Sequence, residues 1–242
     1  PHRSRFYVGT SGITIECWMR PVGDGTGNIF SIGYDGTNAA LRVGLENYRP
    51  KAEIFAGTNV LVTAGGVGAN GSIQLLPTNE WSHLAFVWSP GRNSLEIYVN
   101  SVLLIAQQSF SAPDFSGGPV TMASGFSSGY LDDLRVWNYD RGWEEISYWH
   151  NRIYPAPAGY VREPSTYGDT LLLYYRFDDA ASNLVDFAFL NNTNYFLAGT
   201  AGTTVTNPAV SLLGSDDEDG DLLPEWWTKL NSIEKYPIGA WG

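Results

Sequence analysis

The 242-residue sequence is poor in the residues on which several protein classes depend. It has one cysteine, Cys17, and therefore no internal disulfide. Lys and Arg number 14 against 25 Asp and Glu, so the chain lacks the basic face that nucleic acid or an anionic membrane requires. No apolar run approaches the roughly 20 residues that span a bilayer. We expect neither a nucleic-acid partner nor membrane insertion.

Catalytic motifs are also missing. The three histidines form no H-E-x-x-H motif. Retaining glycoside hydrolysis needs two carboxyl groups about 5 Å apart, a separation that residues i and i+2 of one strand supply. Asp132–Asp133 and Asp178–Asp179 are adjacent instead, so regular strand alternation would place each pair on opposite faces. We expect the protein not to be an enzyme.

What the sequence does contain is short strand-like segments, separated by Gly, Asn, Pro and Asp. In one of them Leu95, Ile97 and Val99 alternate with Glu96 and Tyr98, the period of a half-buried strand. Asn100-Ser101 follows where a tight hairpin turn is expected. The pattern predicts an all-β antiparallel sandwich. The segments cover residues 13–20, 28–33, 39–45, 51–57, 59–65, 72–76, 82–89 and 94–108.

One short helix is predicted over residues 141–152. Glu144 and Glu145 lie in its first turn, where the helix dipole favours negative charge. Ile146, Trp149 and His150 form a narrow apolar stripe that would dock on the sheet. A proline-rich connector follows, and then a further strand-like segment. We expect one sandwich domain over residues 1–200, and a linker with an acidic tail over 201–242.

Four segments occur in the order and approximate spacing of laminin G-like domains. They are TIECWMRP, NEWSHLAFVW, LEIYVNSVLL and GYLDDLRVWN with a following EEI. The resemblance covers about residues 5–150 and implies a concanavalin A-like jelly-roll fold. Asn100-Ser101 replaces the usual Asp-Gly of the family, a change that a hairpin accommodates. The resemblance leads us to expect an extracellular or cell-surface module for adhesion or recognition, with a glycan or an extracellular protein as its partner.

The segment LLLYYRFDD resembles the strand that normally opens such a domain, but here it occupies residues 171–179. Three arrangements remain open. The strand closes its own sandwich, as in a circular permutation; it begins a second, shortened domain; or it is donated to a neighbouring subunit. Donation would make Tyr174, Tyr175 and Phe177 assembly residues. The alternative function is therefore a self-assembling structural subunit of a filament or surface layer, using this strand or the tail.

The acidic tail resembles the calcium repeats of thrombospondin type 3. Under that resemblance the residues offered to Ca²⁺, which takes six to eight oxygens, are Asp217, Asp219, Asp221, the Leu223 carbonyl and Glu225. Leu222 replaces the turn glycine, and Thr228 replaces the closing glutamate. We predict a degenerate calcium site, with a solvated acidic linker as the alternative.

The tandem aspartates in the strand-like run LDDLRVW need partners, because an unpaired buried carboxylate costs several kcal/mol. The laminin G-like resemblance implies that Asp132 reaches a structural calcium ion or backbone N–H groups. Asp133 is predicted to pair with Arg135 or Arg176. Both aspartates are therefore interpreted as structural.

Aromatic residues are the remaining functional signal, with nine Trp and fourteen Tyr. Tryptophans on strands are interpreted as core residues. The candidates for stacking on sugars are those in the helix and connector: Trp143, Tyr148, Tyr160 and Tyr167.

Overall fold

The structure, a computed structural model, describes residues 12–33, 40–67, 75–108, 120–150, 171–175 and 210–211. These residues form twelve strands and one helix, α1 (Trp143–Trp149). The strands are β1 (Ile13–Val22), β2 (Gly27–Ile32), β3 (Ala40–Glu46), β4 (Arg49–Ala56), β5 (Asn59–Gly65), β6 (Ser82–Ser89), β7 (Ser94–Val99), β8 (Val102–Gln108), β9 (Val120–Ser124), β10 (Ser128–Trp137), β11 (Leu171–Tyr175) and β12 (Val210–Ser211).

The strands form two sheets packed face to face. The seven-stranded sheet has the order β11-β10-β1-β6-β7-β8, and the short β12 also pairs with β10. The five-stranded sheet has the order β5-β4-β3-β2-β9. Every pairing is antiparallel except that of β12 with β10. This arrangement confirms the predicted jelly-roll β-sandwich.

Alternate residues of both sheets fill the core, as the period-2 pattern requires. Ile13 and Ile15 of β1, Leu41 and Val43 of β3 and Ile97 of β7 all belong to one buried cluster. In the part of the chain that the structure describes, no helix is both long and apolar enough to cross a membrane.

The β7–β8 hairpin turns at the predicted residues. Asn100 and Ser101 have φ values of 48° and 66°, the left-handed conformations of a type I′ turn. The Asn100 side chain also accepts a hydrogen bond from the backbone N–H of His83 at 2.9 Å. Asparagine tolerates this conformation better than serine does.

The central strands β1, β6 and β7 of the seven-stranded sheet are buried on both faces, which differs from the half-buried pattern predicted for β7. Glu96 and Tyr98, expected on a solvent face, are only 4 % and 5 % exposed. Ile146, fully buried, packs with Tyr98, Ala85 and Val87 on the face away from the core. A short helix therefore shields the outer face of the central strands.

β11 pairs with β10 of the same chain, in the register Leu134↔Tyr175 and Val136↔Leu173. Over residues 171–175 the chain thus closes its own sandwich. Tyr174 and Tyr175 are fully buried there, so they are available to a neighbouring subunit only if β11 is exchanged. Phe177 and the proposed domain boundary at residue 200 lie outside the described residues.

The structure differs from the sequence predictions in three local features. Leu75 and Leu76, the described end of the segment predicted over 72–76, are not in a strand. β9 was not predicted, because only Val120 and Thr121 of its five residues are β-branched or aromatic, and because it lies at a sheet edge. The helix is also shorter than its predicted span.

Candidate functional site

The predicted sugar-stacking residues lie partly on α1. Trp143 and Tyr148 are exposed, by 56 % and 51 %. At about 100° per residue, five positions place their side chains roughly 140° apart around the helix. These two rings therefore do not form one platform. Tyr160 and Tyr167 lie outside the described residues.

The predicted calcium ligands fall in two places. Asp217, Asp219, Asp221, Leu223 and Glu225 lie outside the described residues. Asp132 is in β10, where its Oδ1 accepts a hydrogen bond from the Asp133 N–H at 2.8 Å. Within the described ranges no group of three or more His, Cys, Asp or Glu side chains could hold a metal ion. The metal site stays a prediction.

Asp133 pairs with Arg135, the first of its two predicted partners. Its Oδ2 lies 2.6 Å from Arg135 Nη2, and the φ of Asp133 is 49°. The register with β1 shifts at this point, so Leu131 and Leu134 both enter the core with the two aspartates between them. The bulge breaks the alternation that would have placed the aspartates on opposite faces.

A buried polar cluster lies beneath α1 on the outer face of the seven-stranded sheet. Arg141 Nη1 donates to Glu16 Oε1, and His83 Nε2 lies 3.8 Å from Glu16 Oε2. Glu16 and Arg141 are fully buried, and His83 is 2 % exposed. Burial, together with the charges of His150, Arg135 and Arg141, holds the pKa of His83 well below its usual value. The cluster is closed to solvent and acts as a structural layer.

Carbonyl groups at the end of α1 tie the helix to this cluster. Arg135 Nη1 donates to the Trp149 carbonyl at 2.9 Å, and Trp18 Nε1 donates to the His150 carbonyl at 2.9 Å. Helix carbonyls near a C-terminus lack partners within the helix, so buried donors of the sheet supply them. The predicted stripe residues Trp149 and His150 thus contribute backbone acceptors as well as side-chain packing.

The outer face of the five-stranded sheet is different, because no described element covers it. One row of directly paired residues crosses all five strands: Thr63, Glu53, Arg42, Ser31 and Thr121. Every member carries a hydrogen-bonding group. Adjacent strands lie about 4.8 Å apart, so the row is about 19 Å long. We call this surface the open face.

The rows on either side differ in chemistry. One is Gly65, Lys51, Gly44, Asn28 and Ser124. Gly44 has no room for a side chain, since an added Cβ would lie 2.1 Å from the Gly27 carbonyl oxygen. The other row is apolar, with Val60 and Ala40 paired on either side of Phe55. The polar row is therefore bordered on one side by a row that carries Lys51 and on the other side by an aromatic ring.

Charges on the open face are unevenly matched. Lys51 Nζ contacts two carboxylates, Glu53 Oε1 at 3.0 Å and Glu46 Oε1 at 3.3 Å. Arg42 Nη1 lies 3.9 Å from Glu53 Oε2, beyond hydrogen-bond distance, and its guanidinium is 4.8 Å from the Phe55 ring centre. The Val67 N–H donates to Glu46 and lowers the pKa of that carboxyl. A general acid needs the opposite shift.

The sequence contained a signal for this face, but only in part. Arg42, Glu53 and Thr63 alternate with apolar residues within their strands, which predicts an outward direction for each. Their alignment in one row depends on the pairing register, and the β2–β3 and β4–β5 pairings each contain a bulge. The aromatic residues of the sequence therefore predict sugar binding at α1 and the connector instead.

The fold defines a jelly-roll sandwich with one covered and one open sheet face. A family model for laminin G-type domains, described as the concanavalin A-like lectin/glucanases superfamily, matches residues 2–147. The chain belongs to this superfamily. No curated protein is a match.

The chain is also similar, at low identity, to several solved structures. A Bacteroides ovatus protein, assigned provisionally to carbohydrate binding, is 19 % identical with a TM-score of 0.49 and covers 73 % of this chain and 49 % of its own. The heptameric SAP-like pentraxin of Limulus polyphemus is 15 % identical, with a TM-score of 0.42 and coverages of 57 % and 69 %. The carbohydrate-binding module CBM40 of the Ruminococcus gnavus IT-sialidase, bound to sialyllactose, is 10 % identical, with a TM-score of 0.46 and coverages of 58 % and 83 %.

The chain thus spans about half the length of the first of these structures, at 49 %. Likeness at this level concerns the fold and says nothing about the ligand of this protein. The family assignment rests on the sequence match.

Proposed function

We propose that the protein is a non-enzymatic recognition module of an extracellular or cell-surface protein, and that it binds an oligosaccharide across its open face. The observation that carries the proposal is the row from Thr63 to Thr121, in which five hydrogen-bonding side chains cross the sheet in register. Sugar recognition combines several placed polar groups with an apolar surface. Phe55 supplies that surface beside the row. The lectins in the family name support the same class of ligand.

The row has the dimensions of an extended ligand. At about 19 Å it suits several linked sugars better than a single one. At one end, Ser31 Oγ and Thr121 Oγ1 lie 2.5 Å apart and share a hydrogen bond. Each hydroxyl retains acceptor capacity for a sugar hydroxyl. An extended segment of an extracellular protein is the other partner that this face suits.

Binding without hydrolysis follows from the state of the carboxylates on the open face. Glu46 and Glu53 both contact Lys51, and the pKa of Glu46 is lowered, whereas a general acid needs a raised pKa. A bound oligosaccharide should remain intact after prolonged incubation, as checked by mass spectrometry. Shorter products would indicate an enzyme.

A glycan array with matched variants tests the location of the site. The double variant Ser31→Ala/Thr121→Val removes both hydroxyls with little change in volume, and it should lose the array signal. Trp143→Ala, in α1 over the other sheet, should retain the signal. Circular dichroism would verify that both variants fold. The reverse pattern would place binding on α1, where the aromatic residues predicted it.

A second candidate function, a self-assembling structural subunit, is favoured by the β8 edge. β8 ends the seven-stranded sheet, and its Val102 and Leu103 are 69 % and 48 % exposed. The strand carries none of the charges or prolines that usually protect an edge from pairing. Light scattering should then give a large mass that Leu103→Lys reduces to a monomer. A monomeric wild type, with calcium and after chelation, would reject this candidate.

A further inference from the structure

The charge balance on the open face indicates which class of oligosaccharide it would take, an inference that rests on the proposed function. Three cations lie on the central strands of this face: Arg42, Arg49 and Lys51. Lys51 is satisfied, because it lies within 3.3 Å of both Glu46 and Glu53. Glu53 is the only described carboxylate near Arg42, and it already contacts Lys51. Arg42 is therefore less compensated than Lys51, and unlike Arg49 it lies in the row that crosses all five strands.

The Arg42 guanidinium is also held in place without being covered. Its side chain is 51 % exposed, and the group lies 4.8 Å from the centre of the Phe55 ring. Stacking of this kind orients the planar guanidinium and leaves its N–H groups free to donate. Its distance from Glu53, 3.9 Å, leaves that pair without a hydrogen bond. Several N–H groups of the Arg42 guanidinium are thus exposed to solvent at the middle of the row.

A planar fork of donors matches a carboxylate, which it binds through two parallel hydrogen bonds. We propose that the open face selects oligosaccharides that carry a carboxylate, and that Arg42 binds this group in the centre of the row. The hydroxyls of Ser31 and Thr121 then contact the next sugar along the row.

Because the chain has an overall charge of −11, selection of an anionic ligand would depend on contacts close to Arg42. Long-range forces oppose an anionic ligand, so its affinity would come from short contacts rather than from steering. Among the described charged side chains of the open face, three are cationic, Arg42, Arg49 and Lys51, against Glu46 and Glu53. This small positive excess distinguishes the open face from the acidic chain as a whole.

Paired probes separate charge from sugar shape. Isothermal titration with uronate and sialylated oligosaccharides, each beside its methyl ester, compares ligands that differ in the carboxylate charge and in one methyl group. The wild type should bind at least one acid about tenfold more tightly than its ester. Arg42→Gln should abolish that preference, and Arg42→Lys should keep only part of it. Arg49→Gln, on the same face, is the matched control and should preserve the preference.

The outcomes distinguish this inference from the proposed function. Equal affinity for acid and ester, or a preference that survives Arg42→Gln, would overturn the role of Arg42. If neutral glycans bind and the Ser31→Ala/Thr121→Val variant loses them, the proposed function stands while this inference fails. If no glycan binds, acidic or neutral, both fail.

Discussion

The ion pair of Glu16 with Arg141 provides the sharpest test of how the sandwich is held together. Both side chains are fully buried, Arg141 Nη1 donates to Glu16 Oε1, and the guanidinium lies 4.3 Å from the Trp137 ring centre. Removing one partner leaves an uncompensated buried charge, which typically costs about 3–5 kcal/mol. We expect Glu16→Leu and Arg141→Met each to lose that amount from the free energy of unfolding.

The double variant Glu16→Leu/Arg141→Met should cost less than either single change, because no unpaired charge remains. The expected coupling energy is therefore about 3 kcal/mol or more. Urea unfolding followed by circular dichroism measures it, since urea does not screen charge. Singles that cost less than about 1 kcal/mol, or costs that simply add, would refute the view that this pair is buried and mutually dependent.

Three other predictions follow from the described residues and the tail. The free energy of unfolding should fall between pH 7 and pH 5 by up to about 1.4 kcal/mol per pH unit, because His83 binds a proton in the unfolded state but, with its lowered pKa, not in the folded state. The variant His83→Gln should flatten this slope, as measured by urea unfolding at each pH. A slope that does not change in the variant would contradict the prediction. Ser101→Gly should raise stability by about 1 kcal/mol by relieving the φ of 66°, whereas a lower melting temperature would count against that strain. Chelation should lower the melting temperature of the wild type but not of Asp219→Asn, and equal melting with and without calcium would reject the tail site.

Much of the fold could be predicted because its strands follow the period of two. Ile13, Ile15 and Cys17 on β1 alternate with Thr14 and Glu16, and the hairpin at residues 100–101 has a turn signature. The sequence order of laminin G-like motifs also indicated the family. Local patterns were sufficient here because each strand has to present one apolar face to the same core.

The open face and the polar cluster beneath α1 could not be predicted in the same way. Thr63, Arg42 and Thr121 become neighbours only through the pairing register, and a slip of one residue would turn each of them inward. Glu16 alternates with apolar residues, which predicts solvent exposure. Its burial depends on Arg141, 125 residues away. Such long-range pairings have no local signal.

The central place of β1 in its sheet has a consequence for how the chain is made. β1 lies between β6 and β10, and Thr14 Oγ1 donates to the Tyr139 carbonyl, 125 residues later. During synthesis the first described strand must therefore wait for most of its partners to emerge. Contacts of such separation form slowly, and apolar strands that wait are prone to wrong pairing. Rapid translation should therefore lower the yield of correctly folded protein more than it changes the stability of the folded state.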